Sequence, residues 1–99
     1  MAVVEVSITP LGTGSPGGLS PYVRGALKVL AGSGLKHQLT PMGTIIEGDL
    51  DEILAVIRRM QETVFAAGAQ RVSTLIKIDD RRDREHTMEG KVRSVLSGM

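Results

Sequence analysis

The segment KHQLTPMGTIIEG, from Lys36 to Gly48, decides how the rest of the chain folds. It predicts two short strands, residues 37–40 and 43–47, with a tight reversal at Pro41 and Met42 between them. A hairpin in the middle of a chain of 99 residues leaves room for a strand and a helix on each side. The fold class therefore depends on whether both flanks supply them.

The N-terminal flank supplies both. AVVEVSIT, residues 2–9, alternates apolar and polar side chains as a half-buried strand does, and Pro10 ends it. A helix is predicted over residues 21–31, with Ser20 as its N-cap and Pro21 in its first turn. The GSG sequence at 32–34 is typical of a helix C-terminus.

The C-terminal flank repeats the pattern. DLDEILAVIRRMQETVFAAGA, residues 49–69, carries apolar side chains at helical spacing and acidic residues in its first turn. Residues 71–79, RVSTLIKID, alternate as a strand, and residues 87–96 have the apolar spacing of a short last helix. The order is β-α-β-β-α-β-α.

This order predicts an α+β fold: a ferredoxin-like βαββαβ sandwich with a short C-terminal helix, in which a four-stranded antiparallel sheet carries both long helices on one face. We expect residues 1–99 to form a single domain. The other face should then be an uncovered, mixed polar surface suited to a partner subunit or a ligand. The positions assigned to that open face include Glu5, Ser7, Thr9, Ser73, Leu75, Lys77 and Asp79.

Composition excludes several classes of protein. A formal net charge of +1 gives no broad attraction to nucleic acid or membranes, and only two aromatic residues are present to stack on bases. Without cysteine there is no disulfide scaffold, thiolate metal site or thiol nucleophile. No apolar run approaches the roughly 18 residues that a membrane span needs. We expect a cytoplasmic protein with neither nucleic-acid nor membrane partners.

The glycine-rich stretch after the first strand has the spacing G-x-G-x-x-G at Gly12, Gly14 and Gly17. In a dinucleotide-binding turn, the helix begins at the glycines so that its amides face the phosphates. Here Pro10 ends the strand before Gly12, and the helix begins only near Pro21. The sequence therefore predicts a flexible loop, not a nucleotide site.

Other catalytic chemistry is sparse. The two histidines, His37 and His86, lack metal-ligand spacing, and no G-x-S-x-G elbow occurs, so we expect no catalytic residues, metal or cofactor. An enzyme would have to use His37 with Glu47. Glu47 follows the apolar run TII, and two interpretations remain open: an ion pair at a strand end, or ligand binding.

The segment KIDDRRDREH alternates cations and carboxylates over residues 77–86. This pattern is most often a salt-bridge network. The alternative is an anion site formed by Lys77 with Arg81 or Arg82, as in a regulatory oligomer that binds an anion or amino acid and signals to a partner protein.

Three segments together carry a resemblance: VEVSITPLGTG (4–14), LTPMGTIIEGDLDEIL (39–54) and GAQRVSTLIKIDDRRD (68–83). Through them the chain resembles the YkoF-like thiamine-binding protein family over essentially its whole length. The resemblance implies a ferredoxin-like fold and a homotetramer built as a dimer of dimers through the sheets. It also implies a non-catalytic pocket near subunit interfaces for thiamine or its hydroxymethyl-pyrimidine moiety.

Residue type and placement then suggest which side chains would bind such a ligand. An aminopyrimidine offers an amine donor and ring-nitrogen acceptors, which hydroxyl and carboxylate groups can satisfy, and a methionine can form an apolar wall. The candidate ligand-binding residues are Ser7, Thr9, Thr40, Met42, Thr44 and Glu47. With only Tyr22 and Phe65 in the chain, little aromatic surface is present to sandwich a ring.

Overall fold

The computed structural model describes residues 1–14 and 18–99. The elements in chain order are β1 (Ala2–Pro10), α1 (Ser20–Gly32), β2 (Lys36–Thr40), β3 (Gly43–Gly48), α2 (Leu50–Ala66), β4 (Val72–Asp80) and α3 (Met88–Leu96). The strands form one sheet in the order β2-β3-β1-β4, and every neighbouring pair is antiparallel. This is the ferredoxin-like arrangement expected from the sequence, and the fold class is confirmed.

The helix starts follow local side-chain chemistry at α2 and α3 but not at α1. Asp49 caps α2 by accepting a hydrogen bond from the Glu52 amide at 3.1 Å, and Thr87 caps α3 through the Gly90 amide at 2.9 Å. For α1 the predicted N-cap is wrong. Ser20 is already helical, and Leu19 precedes it without a side-chain cap, so proline in the first turn is the remaining start signal.

The inner face of the sheet carries the core. Alternate residues of β1, among them Val4 and Val6, point to this face together with Ile46 of β3. They pack in one cluster with the apolar stripes of α1 and α2, which include Leu30 and Ile53. Both long helices therefore lie on one face, as the predicted topology requires.

The outer face is not fully open, which corrects the expectation of a bare surface. Val3 and Glu47 neighbour Val4 and Ile46 along their strands and so point to the outer face, yet both are buried. The start of α3 covers them, because the Met88 amide donates to the Glu47 carboxylate at 2.7 Å. The short last helix thus caps one end of the outer face and leaves the other end exposed.

Candidate functional site

A cavity of about 270 Å³ lies at the end of the sheet away from α3. Its walls are β1 at residues 6–9, the first turns of α1, and the β2–β3 turn at residues 39–44. Met60 and Val64 of α2 close it on the core side. The cavity therefore opens between the hairpin turn and the beginning of α1.

The topology explains why these segments meet. In the antiparallel pairing of β1 with β3, the end of β1 lies beside the beginning of β3, with Val6 opposite Thr44. The beginning of α1 follows β1 in the chain, so it returns to the same end of the sheet. The end of one strand, the start of one helix and one hairpin turn consequently enclose a common space.

Of the six candidate ligand-binding residues, the structure brings five to this cavity: Ser7, Thr9, Thr40, Met42 and Thr44. Thr44 is 6% exposed at the inner wall, whereas Met42 is 83% exposed at the tip of the hairpin. Thr44 lies opposite core-facing Val6, so its hydroxyl faces the cavity, whereas the alternation of β1 directs the Ser7 and Thr9 side chains to the outer face. The flexible thioether of Met42 stands at the rim.

The Thr40 hydroxyl is committed to the hairpin turn. It donates to the Gly43 carbonyl at 2.9 Å and accepts from the amides of Gly43 at 3.1 Å and Met42 at 3.3 Å. Its hydrogen-bonding capacity is therefore largely used by the backbone of the turn. Thr40 shapes the cavity, and Thr44 is better placed to offer its hydroxyl to a ligand.

The cavity wall is uncharged in the part of the chain that the structure describes: no Asp, Glu, Lys, Arg or His lines it. Tyr22, in the first turns of α1, adds an aromatic ring and a phenol hydroxyl. Tyr22 was not among the ligand-binding residues predicted from the sequence. The topology could have identified it, because a ferredoxin-like fold places the start of α1 beside the end of β1.

Glu47 lies elsewhere, under the start of α3. It is 7% exposed; one carboxylate oxygen accepts from the Met88 amide, and the other lies 3.4 Å from the Lys36 ammonium. The arrangement corresponds to the ion-pair interpretation of this residue. His37 lies opposite Ile46 and points to the inner face of the sheet, whereas Glu47 points to the outer face. The two side chains are therefore separated by the sheet.

Ionic contacts attach α3 to the sheet. Lys36 contacts Glu89 at 2.6 Å, which raises the pKa of Lys36 and lowers the pKa of Glu89. Lys91 contacts Asp79 at 2.5 Å, and this hydrogen bond lowers the pKa of Asp79. Buried His86 lies 3.3 Å from the same carboxylate, although not aligned for a hydrogen bond.

The three cationic residues predicted as an alternative anion site, Lys77, Arg81 and Arg82, do not share one set of contacts. Arg81 makes two hydrogen bonds to Asp83, at 2.7 and 3.1 Å, and this contact lowers the pKa of Asp83 to about 2. Arg82 is paired with Asp80 at 3.0 Å, and Lys77 is an exposed residue of β4. Both guanidinium groups therefore already have carboxylate partners, as the salt-bridge interpretation of this segment expects.

Two further sequence features can be placed. Gly12 and Gly14 adopt φ of +66° and +61° after β1, which glycine accommodates without strain, while Gly17 lies outside the described residues. Within residues 1–14 and 18–99, no group of three or more His, Asp or Glu side chains is placed to hold a metal ion. Over the same residues, no helix is both long and apolar enough to cross a bilayer.

Comparisons with known proteins agree on one family. A family profile described as Thiamine-binding protein matches residues 4–96. The UPF0045 protein YqgV of Bacillus subtilis is 46% identical over 99 residues, spanning 96% of this chain and 94% of its own. The solved structure of hypothetical protein MJ1052 from Methanocaldococcus jannaschii is 42% identical and superposes with a TM-score of 0.86, covering 96% of this chain and 95% of that one.

A more distant structure extends the fold comparison. A Thermotoga maritima protein provisionally assigned to thiamine biosynthesis or salvage superposes with a TM-score of 0.80 over 95% of this chain and 97% of its own. At 22% identity this likeness concerns the fold alone. The profile match and the close relatives together confirm the resemblance seen in the sequence, and the chain belongs to the thiamine-binding protein family.

Proposed function

We propose that this chain is a non-catalytic binding protein whose cavity takes the hydroxymethyl-pyrimidine moiety of thiamine, free or as part of thiamine. The observation that carries the proposal is the uncharged, hydroxyl-bearing cavity of about 270 Å³ in a member of the thiamine-binding family. We expect it to act in the cytoplasm as a carrier, buffer or sensor.

The size and polarity of the cavity support a small neutral ring. Pockets for drug-sized ligands span about 300–1,000 Å³, so this cavity of about 270 Å³ is slightly smaller than that range. Phosphate esters are normally held by cations or by clustered backbone amides, and no cationic side chain lines the described wall. The diphosphate of thiamine is therefore expected to remain outside the cavity.

The lining matches the polar groups of an aminopyrimidine. The hydroxyls of Thr44 and Tyr22 can each donate and accept, which suits a ligand carrying an amine, ring nitrogens and a hydroxymethyl group. Tyr22 offers an aromatic ring and Met42 an adaptable apolar contact at the rim. Glu47 is not included in this proposal, because its carboxylate already contacts Met88 and Lys36.

Two observations support a role in binding rather than in catalysis. His37 and Glu47 were the only acid–base pair that the sequence offered, and the pleat of the sheet directs them to opposite faces. The cavity itself is lined by hydroxyl, thioether and hydrocarbon groups, with no carboxylate or imidazole base among its described lining residues.

We also propose that copies of the chain assemble through the exposed part of the outer face into a dimer of dimers. The protomer exposes 6,527 Å². A compact monomer of its 10.6 kDa would expose about 5,500 Å². The excess of about 1,000 Å² is somewhat larger than the roughly 800 Å² that each partner buries in a standard interface. Leu75 on β4 and Val92 and Val95 on α3 are large apolar side chains on this exposed surface.

The binding proposal is tested by calorimetry with 4-amino-5-hydroxymethyl-2-methylpyrimidine, thiamine and thiamine diphosphate. The pyrimidine and thiamine should bind saturably, with one site per protomer. Thr44→Val keeps the side-chain shape and removes the hydroxyl, so it should weaken pyrimidine binding about tenfold.

Thr63→Val is the matched control. Its hydroxyl bonds only to the Arg59 carbonyl in the described structure, at 3.0 Å, and the residue lies outside the cavity wall. It should leave pyrimidine binding unchanged. An absence of heat with all three compounds would remove the proposed ligand class, and an equal loss of affinity in both variants would remove this cavity as its site.

A further inference from the structure

Strand β1 has two neighbours of unequal length. It pairs with β4 over nine residues, from Ala2 opposite Asp80 to Pro10 opposite Val72. It pairs with β3 over only five residues, and the last pair is Val6 with Thr44. Beyond Val6, one edge of β1 therefore runs along the cavity with no strand beside it.

The hydrogen bonds at the two ends of the β1–β4 pairing show which backbone groups face that free edge. The Leu11 amide donates to the Arg71 carbonyl at 2.9 Å, and Arg81 and Met1 exchange bonds of 3.2 and 3.3 Å. In an antiparallel pair, hydrogen-bonded residues alternate along the strand. The register is unbroken, so the odd-numbered residues of β1 bond to β4 and the even-numbered ones face the β3 side.

Ile8 is the even-numbered residue just past the end of the β3 pairing. Its N–H and C=O point together toward the cavity, which Ile8 also lines. The next even residue, Pro10, has no amide hydrogen to donate. The free edge therefore offers one adjacent donor and acceptor pair, too short to receive an added strand but suited to the edge of a single ring.

We propose that the backbone of Ile8 recognises an amidine-like edge, an acceptor ring nitrogen next to an amino group, on the bound heterocycle. This rests on the proposed function and specifies how that site selects its ligand. In a 4-aminopyrimidine, the ring nitrogen N3 accepts from the Ile8 N–H and the 4-amino group donates to the Ile8 C=O. The side-chain hydroxyls then remain available for the rest of the ring.

Analogues of the pyrimidine test this pairing without altering the protein. The 4-desamino analogue lacks the donor and the 3-deaza analogue lacks the acceptor, so each should bind about tenfold more weakly because one backbone group is left unpaired. The 1-deaza analogue keeps both N3 and the 4-amino group and changes the opposite side of the ring, so it is the control and should change affinity less. Equal binding of the parent, desamino and deaza compounds would overturn the inference while leaving the proposed function intact.

Amide hydrogen exchange measured by NMR detects the proposed hydrogen bond of the Ile8 amide directly. In the free protein the Ile8 amide should exchange faster than the amides of Ser7 and Thr9, which bond to β4. Saturation with the parent pyrimidine should slow Ile8 selectively. An Ile8 amide already as protected as its neighbours in the free protein, or one unaffected by bound pyrimidine, would contradict the inference.

A substitution at Ile8 tests the role of its amide in the protein itself. Ile8→Pro removes an N–H that bonds to neither neighbouring strand, and proline is tolerated at such an edge position. It should remove the preference for the parent pyrimidine over the 3-deaza analogue, whereas Ile8→Val, which keeps the amide, should retain that preference. Undiminished selectivity in a folded Ile8→Pro protein would contradict the role of the amide. If no pyrimidine binds the native protein at all, the proposed function fails and this inference fails with it.

Discussion

Two threonines on neighbouring positions of the hairpin have different physical roles. The Thr40 hydroxyl satisfies two amides and one carbonyl of the turn, whereas Thr44 is a polar residue at a core-facing position of β3. A polar group at such a position is costly unless something bonds to it. The cavity beside Thr44 gives its hydroxyl an accessible environment.

The first residue-scale prediction concerns Thr40. Thr40→Val leaves the Met42 and Gly43 amides without their side-chain acceptor, so it should lower the free energy of unfolding by about 1–2 kcal/mol, measured by urea denaturation. Thr44→Val removes no hydrogen bond within the turn and should cost less. A larger loss for Thr44→Val than for Thr40→Val would contradict this division of roles.

The second residue-scale prediction concerns Glu47. Glu47→Gln keeps the shape but removes the charge that faces the Met88 amide and Lys36, so it should destabilise the protein by about 1–2 kcal/mol. Pyrimidine affinity should stay the same, because the side chain lies outside the cavity. Calorimetry that showed a tenfold weaker complex with unchanged stability would instead place Glu47 in the ligand site.

How well the sequence predicted individual residues depends on the range of their contacts. Strand alternation and hairpin register are local, so they place Thr44 at a core-facing position and Ser7 and Thr9 on the outer face, all at one end of the sheet. Glu47 was ambiguous because its partner, the Met88 amide, is 41 residues away. A contact between residues so far apart leaves no local pattern in the sequence. Tyr22, in contrast, could have been predicted from the topology.

At the scale of elements, the hairpin depends on a close approach between backbones. A Cβ atom at Gly43 would lie 2.8 Å from the Val6 carbonyl oxygen, which is part of the neighbouring strand and cannot rotate away. The beginning of β3 can therefore approach β1 only where a residue has no side chain. The cavity begins next to Gly43, where the pairing of β3 with β1 ends.

Gly43→Ala should accordingly push β3 away from β1 and lower the free energy of unfolding by about 1–3 kcal/mol. Gly32→Ala is the matched control at the end of α1, where an added Cβ meets nothing within 4 Å, and it should be neutral or slightly stabilising. Thermal melts of both variants measure the difference. Equal melting temperatures would show that the approach at Gly43 is not a constraint.

The attachment of α3 should depend on pH. Lys91 and Lys36 hold the pKa of Asp79 and Glu89 below their ordinary values of 3.8 and 4.5. Carboxyls with a lowered pKa stabilise the fold above their ordinary pKa, and that contribution is lost as the pH falls through the folded-state value. The helix should therefore stay attached at pH 7 and loosen progressively below about pH 4.

Amide exchange of α3 residues between pH 7 and pH 3, corrected for intrinsic rates, measures this release. Lys91→Met removes one cationic partner and should flatten the response, whereas Lys28→Met, on the exposed side of α1, should leave it unchanged. An α3 whose protection does not change as the pH falls would show that apolar contacts alone hold it.

The sequence predicted the type and order of every described element, because strand alternation, helical spacing and turn residues are local signals. It did not predict where α3 lies. That helix is attached by Met88 and by charge contacts with β2, β3 and β4, and a sequence pattern does not encode such pairings. The N-cap of α1 was wrong for the opposite reason, since a strong local signal at Ser20 was overridden.

At the scale of the whole molecule, the exposed part of the outer face predicts association. Leu75 is 74% exposed on the edge strand β4, where unpaired backbone groups invite another chain. Light scattering at micromolar concentration should give a mass near four times the 10.6 kDa of the protomer. Leu75→Glu should reduce this mass, and Leu54→Glu on α2 should not. A stable protomer would contradict the proposed assembly.

Binding of a pyrimidine in the cavity between the hairpin turn and the start of α1 can be observed residue by residue. A titration of the ¹⁵N-labelled protein with 4-amino-5-hydroxymethyl-2-methylpyrimidine, followed by NMR, tests ligand and location together. We expect saturable shifts concentrated at Ser7, Ile8, Thr9, Tyr22 and Thr44, with the amides of α3 unchanged. Shifts concentrated instead at α3 and the charged segment before it, or a spectrum unaffected by the pyrimidine, would contradict binding in this cavity.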